Sequence, residues 1–271
     1  MSLSLGKLKL DGKCHLMGIL NVTPDSFYDG GWHFDSVNTQ KRIEEMIAEG
    51  AEIIDIGGES TRPGSKPVNI EEELERVIPA IEFIKSISDI PISIDTQKAE
   101  VAKKAIEAGA CVVNDVGGLR NEDMISTIAE LQIPVIIMHM QGTPENMQKN
   151  PQYADTVQDI KKWLKERINA AEMAGIKRSN IIVDPGIGFG KNLKHNLEVL
   201  GGLNEFNGMA GGVLLGASRK SFIGMMTDED SDRLTGSLSA AMIGATAGVD
   251  LVRVHDVKET RKAIETISLL N

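Results

Sequence analysis

The stretch AEGAEIIDIGG (48–58) returns as EAGACVVNDVGG (107–118) and again as TAGVDLVRVHD (246–256). In each copy a helical stretch stops at a glycine, which can take the left-handed conformation that closes a helix. A short β-branched run follows and ends in polar or acidic residues. MAGIKRSNIIVDPGIG (173–188) is a looser copy with a longer connection. A strand after a helix, repeated, is the unit of a parallel sheet covered by helices.

Outward from these copies, eight apolar runs can be read: His15–Asn21, Glu52–Gly58, Pro91–Thr96, Val112–Gly118, Pro134–Met140, Ile181–Gly188, Val213–Arg219 and Leu251–Asp256. Segments with helical spacing lie between them, among them Val37–Glu49, Ile70–Ile87, Ala99–Ala108, Asp155–Ala174 and Leu234–Ala247. Eight such units in 271 residues predict an α/β chain closed into a (β/α)8 TIM barrel. No segment reads as a linker, so one domain over 1–271 is expected. An open doubly wound sheet is the alternative, but it wants a glycine-rich turn after its first strand, and NVTPDSF (21–27) is not one. Ahead of the first strand, GKLKLDGKCHL (6–16) places Asp11-Gly12 between two apolar alternations. That reads as a β-hairpin turning at Asp11-Gly12 and closing the bottom of the barrel.

Bulk properties narrow the function. Lys plus Arg number 29 against 39 Asp plus Glu, a net charge of −10. Such a chain is a poor general partner for nucleic acid, and cations for an anionic small molecule must be gathered locally. Apolar runs such as Ile133–Met138 are far short of the roughly 18 residues that span a bilayer. The start, MSLSLGKLKLDGK, shows no signal-peptide core, so a cytoplasmic protein without membrane contact is expected. Cys14 and Cys111 form no C-x-x-C pair and read as buried thiols in a reducing compartment.

Barrels of this kind build their sites at the C-terminal ends of the strands. Asp95, Asn114 and Asp184 fall there and could converge on the barrel axis. Two carboxylates and an amide offer acceptors for N–H edges, which suits a flat, nitrogen-rich heterocycle such as a pterin or guanine. A second group is cationic: Lys220, Arg253 and His255, near Asn21 if the first and last strands close the barrel. Arg253 sits inside the apolar run DLVRVHD, where an unpaired cation would be costly. A bound anion is the expected partner. The loop DPGIGFGKN (184–192) resembles a backbone amide nest. His139, beside Met138, is expected to wall the site, and His33 and His195 are expected on the surface.

Seven segments, in order, now carry a resemblance: MGILNVTPDSF (17–27), GGESTRPG (57–64), SIDT (93–96), NDVGG (114–118), DPGIGFGK (184–191), GASRKSFIG (216–224) and RVHDV (253–257). Together they resemble the dihydropteroate synthase family over almost the whole chain. The resemblance implies a transferase of folate biosynthesis, usually a homodimer and a target of sulfonamides. It would join 6-hydroxymethyl-7,8-dihydropterin diphosphate to p-aminobenzoate and release diphosphate by an SN1-like displacement. It also implies roles. Asp95, Asn114, Asp184 and Lys220 would hold the pterin, with Met138, Phe189 and Gly216 as its walls. Asn21, Arg253 and His255 would hold the diphosphate, with Asn21 on Mg2+. Thr61, Arg62, Pro63, Gly188, Lys220 and Ser221 would frame p-aminobenzoate, and loops bearing Phe27 and Asp29 and then Arg62 and Pro63 would close over both substrates. Asp95, Lys220, Arg253 and His255 would carry the chemistry. A pterin-binding methyltransferase would share the three acceptors but has no use for the Arg253/His255 pair.

Overall fold

The computed structural model describes residues 3–23, 36–60, 67–227 and 233–269. Two short strands, β1 (Ser4–Leu5) and β2 (Leu8–Lys9), pair antiparallel. Eight parallel strands follow: β3 (His15–Asn21), β4 (Ile53–Gly57), β5 (Ile92–Asp95), β6 (Val112–Asp115), β7 (Val135–Met138), β8 (Ile181–Asp184), β9 (Gly212–Leu215) and β10 (Leu251–Val254). They pair in chain order, and β10 also pairs with β3, so the sheet closes on itself. The expected TIM barrel is the observed one.

Helices α1 (Ser36–Glu49), α2 (Ile70–Ile87), α3 (Ala99–Ala108), α4 (Glu122–Leu131), α5 (Thr156–Met173), α6 (Leu193–Gly201), α7 (Ser221–Thr227), α8 (Leu234–Thr246) and α9 (Val257–Ser268) connect and follow the strands. Local chemistry explains their ends. The Asn69 side chain accepts from the Glu72 N–H and caps α2, whose first turn holds Glu71, Glu72 and Glu73. The glycines of the three copies, Gly50, Gly109 and Gly248, have φ of +92°, +123° and +80°. Each therefore takes the conformation the sequence pattern demanded of it.

Strand residues alternate between two destinations. Leu20, Ile54, Ile56, Ile94, Val113 and Val183 face outward and pack beneath the helices in the main core. Met17, Ile53, Val112, Ile136, Ile182, Leu214 and Leu251 face the barrel lumen, where Leu3, Leu5 and Leu10 of the N-terminal segment close it from below.

The hairpin thus closes the bottom as expected, but its turn is displaced. It falls at Gly6-Lys7, between β1 and β2, and not at Asp11-Gly12. Gly6 has φ +60° at the first central position of a two-residue turn, where a tight hairpin wants glycine. Gly12 serves the bend into β3, with Asp11 accepting from the Lys13 N–H.

Candidate active site

The strand register brings the C-terminal polar residues into one row. Asn21 pairs with Gly57, Gly57 with Asp95, and Asp95 with Asn114. Directly beneath lies a second lumen row, Ile19, Asp55, Ser93 and Val112. Asp95, Asn114 and Asp184 are all buried, as is Met138. The three expected acceptors therefore share one end of one barrel.

Arg253, paired in register with Met17, reaches across this end. Its Nε donates to Asp55 Oδ2 at 2.5 Å and its Nη2 to Asp95 Oδ2 at 2.7 Å. The same Asp55 Oδ2 accepts from Asn114 Nδ2 at 3.1 Å. This corrects the expectation that burial alone calls for an anion at Arg253: two carboxylates already compensate its charge. Asp55 was missed because it lies inside the apolar run IIDIG. The signal was parity, since it points the same way as Ile53 below it and Gly57 above.

Asp184 is held by the Gly186 N–H at 2.7 Å. A Cβ placed on Gly216 would lie 3.7 Å from Asp184 Oδ2 and 3.9 Å from Arg253 Cβ, so this glycine keeps the space between them open. The Lys220 ammonium lies 4.4 Å from the Phe189 ring centre and donates to the Ile187 carbonyl. Phe189 packs on the cluster of Val116, Met138, Met140 and Met147. His255 places Nδ1 3.0 Å from Ser218 Oγ, while its carbonyl accepts from Arg42 Nη2 at 2.9 Å. Ser221 is exposed at the start of α7. Neighbouring Asp115 faces the other way and closes its own turn, accepting from the Gly117 and Leu119 N–H groups at 2.7 Å. Phe27, Asp29, Thr61, Arg62 and Pro63 lie outside the described residues, as does His33.

Burial shifts three of the site's ionisable groups. Burial pushes Asp95 up to about 7, against the pull of Arg253 and with help from Asp55. Burial also raises Asp184, opposed by Lys220. Lys220 itself is pushed down by burial to about 8, with Asp184 opposing.

The 184–191 loop departs from the expected amide nest, because three of its N–H groups are used internally: Gly186 on Asp184, Gly188 on Asn196, and Phe189 on the Gly186 carbonyl. Its carbonyls are held as well. Lys191 Nζ donates to those of Gly186 and Phe189, Gln148 to that of Gly188, and Tyr153 to that of Gly190. His139 is not a wall either. It is buried behind the loop with Nδ1 3.0 Å from Lys191 Nζ and its ring edge-on to Trp163. Burial drives it down to about 2, so it stays neutral. His195 is buried too, forming a capping box with Asn192 at the start of α6. A histidine at the third helical position can serve the chain end, which its polarity alone does not reveal.

A family profile described as "Pterin binding enzyme" matches residues 17–255. The chain is 46% identical to the dihydropteroate synthase of Escherichia coli K12 over 254 residues, covering 93% of this chain and 90% of the relative. This chain belongs to the dihydropteroate synthase family. Among solved structures, a Yersinia pestis dihydropteroate synthase with a sulfonamide drug superposes with TM-score 0.94 at 42% identity, covering 100% of this chain and 99% of that one. A Xanthomonas albilineans dihydropteroate synthase with 4-aminobenzoic acid does so with TM-score 0.91 at 43% identity, covering 97% and 94%. Among the described residues, no helix is long and apolar enough to cross a membrane.

Proposed function

We infer that this chain is a transferase of folate biosynthesis, a dihydropteroate synthase that joins 6-hydroxymethyl-7,8-dihydropterin diphosphate to p-aminobenzoate and is inhibited by sulfonamides. The observation that carries the reading is the row of acceptors around one barrel end, tied through Asp55 to Arg253, in a chain of this family.

In this reading Asp95, Asn114 and Asp184 accept the N–H groups of the pterin, and Lys220 covers its edge. Met138, Phe189 and the bare face of Gly216 bound the ring. Arg253, His255 and Asn21 hold the diphosphate. Ser221 and Gly188, with the loop residues Phe27, Asp29, Thr61, Arg62 and Pro63, frame p-aminobenzoate.

Departure of diphosphate from an electron-rich dihydropterin leaves a cation spread into the ring, so the path is SN1-like. Ionised Asp95 opposes that developing charge, and Arg253 and Lys220 stabilise the leaving anion. The arylamine attacks next, loses its proton, and depends on positioning and exclusion of water more than on a strong base.

The donors suit a Mg2+ that takes most of its ligands from phosphate and water. Among the described residues, no group of three His, Cys, Asp or Glu could hold a metal unaided. A Cβ on Gly57 would sit 3.6 Å from Asn21 Oδ1 and 3.8 Å from Asp95 Oδ2, so two oxygens flank one small residue. Asn21 would hold the ion, which when bound would neutralise charge on the departing diphosphate.

A homodimer is part of the proposal, with exposed Ile243 on α8 and Leu269 beyond α9 as its apolar face. So is residence in the cytoplasm, which suits two free thiols at Cys14 and Cys111.

The test mixes enzyme, pterin diphosphate, Mg2+ and p-aminobenzoate. Diphosphate release that requires p-aminobenzoate and is suppressed by a sulfonamide is the expected result. Release indifferent to p-aminobenzoate would refute the reading.

A further inference from the structure

Asp55 is fully buried in the lumen row beneath the site. Its Oδ2 takes two donors, Arg253 Nε and Asn114 Nδ2, while Oδ1 has no partner among the described residues. A buried carboxylate with an unpaired oxygen is unfavourable, and packing does not call for it: Ile53, two residues earlier, fills the lumen with carbon alone.

We propose that Asp55 is a positioning residue that orients the ring-binding Asn114, through the carboxylate oxygen whose charge also offsets that of Arg253. The proposal rests on the ring and diphosphate assignments above.

A carboxamide turned over keeps its shape and exchanges its donor face for its acceptor face. Only its neighbours fix which way round it sits. An ionised carboxylate is acceptor-only, so Asn114 must present Nδ2 to Asp55. Its Oδ1 then faces away from Asp55, where a ring N–H can meet it. The guanidinium is fixed likewise. With Nε on Asp55 and Nη2 on Asp95, its plane is set by two carboxylates on β4 and β5. With one Nδ2 hydrogen on Asp55, Asn114 therefore turns Oδ1 to a ring donor, and Arg253 is tied to both carboxylates.

Asp55→Asn keeps the shape but lets the amide pair sit either way round. It also removes one negative charge beside Arg253. The two ends of the site should then respond in opposite directions. The experiment measures binding of 6-hydroxymethylpterin, of its analogue with oxygen in place of the 2-amino group, and of inorganic diphosphate with Mg2+, by calorimetry on the intact enzyme. In the wild type the amino compound is preferred. In Asp55→Asn that preference falls about tenfold, the scale of one misdirected hydrogen bond in a buried site, while diphosphate affinity holds or rises. Asp55→Ser, which is too short to reach both partners, gives the same pattern.

An unchanged preference in a folded variant overturns the proposal. So does a joint fall of preference and diphosphate affinity, which marks general damage to the barrel. Failure of both variants to fold would make Asp55 a stability residue and overturn it as well. A wild type with no preference would instead refute the ring-site reading itself.

Discussion

The two ends of the barrel lumen are built from the same strands and hold opposite chemistry. At the bottom, Ile53, Val112, Ile182 and Leu251 meet Leu3, Leu5 and Leu10 in an apolar plug. Two residues further along the same four strands stand Asp55, Asn114, Asp184 and Arg253. Side chains in a strand repeat with period two, so each pair shares one wall of one lumen. A single step toward the C-terminal end changes filler into reagent. The barrel thus keeps its stability and its chemistry on separate floors, and each floor can be attacked alone.

The largest effect is expected at the top. Asp95→Asn preserves shape but removes the charge that opposes the developing ring cation. Removing one preorganised charge partner typically costs about 2.7–4 kcal/mol of barrier, so turnover should fall roughly 10²–10³-fold. The melting temperature should move little. Steady-state kinetics beside a thermal melt checks both, and wild-type turnover in a folded variant would remove Asp95 from the mechanism.

The complementary change is at the bottom. Leu5 is wholly buried against the lumen, and Leu5→Ala should cost about 2–3 kcal/mol of stability, low in the usual range because a short hairpin can settle into the space. Turnover per folded molecule should stay unchanged. Denaturant unfolding beside kinetics decides it. If turnover falls with stability, the two floors are coupled and the comparison fails.

A subtler effect concerns pH. Asp95 must be ionised, and its value near 7 places an acid limb there; Lys220 must be charged, and its value near 8 places an alkaline limb there. The free enzyme's kcat/KM should therefore form a narrow bell between the two. Lys220→Arg, whose charge persists at any working pH, should erase the alkaline limb. A profile flat from pH 6 to 9 would show that neither group governs the rate.

How much of this was legible follows from which residues interact locally. The β3 and α2 bounds can be read directly, because caps, glycines and apolar spacing act within a few residues. The acceptors at 95, 114 and 184 are legible because the fold class dictates where strand ends go. Asp55 was hidden by its apolar neighbours. The pairing of Arg253 was hidden by distance, since Asp95 and Asp55 lie 158 and 198 residues away. For the same reason Lys191 and His139, 52 residues apart, gave no sign of the clasp they form behind the glycine loop. Local rules placed the elements; long-range electrostatic partners decided what several site residues do.

The smallest expected effect lies at the bottom, where a buried histidine, His15, joins β3 to its surroundings. Its Nδ1 lies 2.8 Å from Glu52 Oε1, and its Nε2 lies 3.3 Å from Asp11 Oδ1. The hydrogen bond to Glu52 raises its pKa, with burial opposing. A histidine whose folded pKa exceeds its unfolded value, about 6.5, contributes its full stabilisation below that value. The contribution is lost as pH rises through the higher folded value. Glu52 must also stay ionised; burial opposes this, but the bonds from His15 and the Leu16 N–H outweigh it and lower its pKa. His15→Gln should therefore lower stability by about 0.5–1 kcal/mol near pH 6, kept small because Glu52 is 39% exposed to solvent. The deficit should shrink as pH climbs past neutrality. Unfolding curves of both proteins from pH 5 to 9 test this, and a deficit that grows with pH would reverse the sign and leave the bottom of the barrel with no charge that matters.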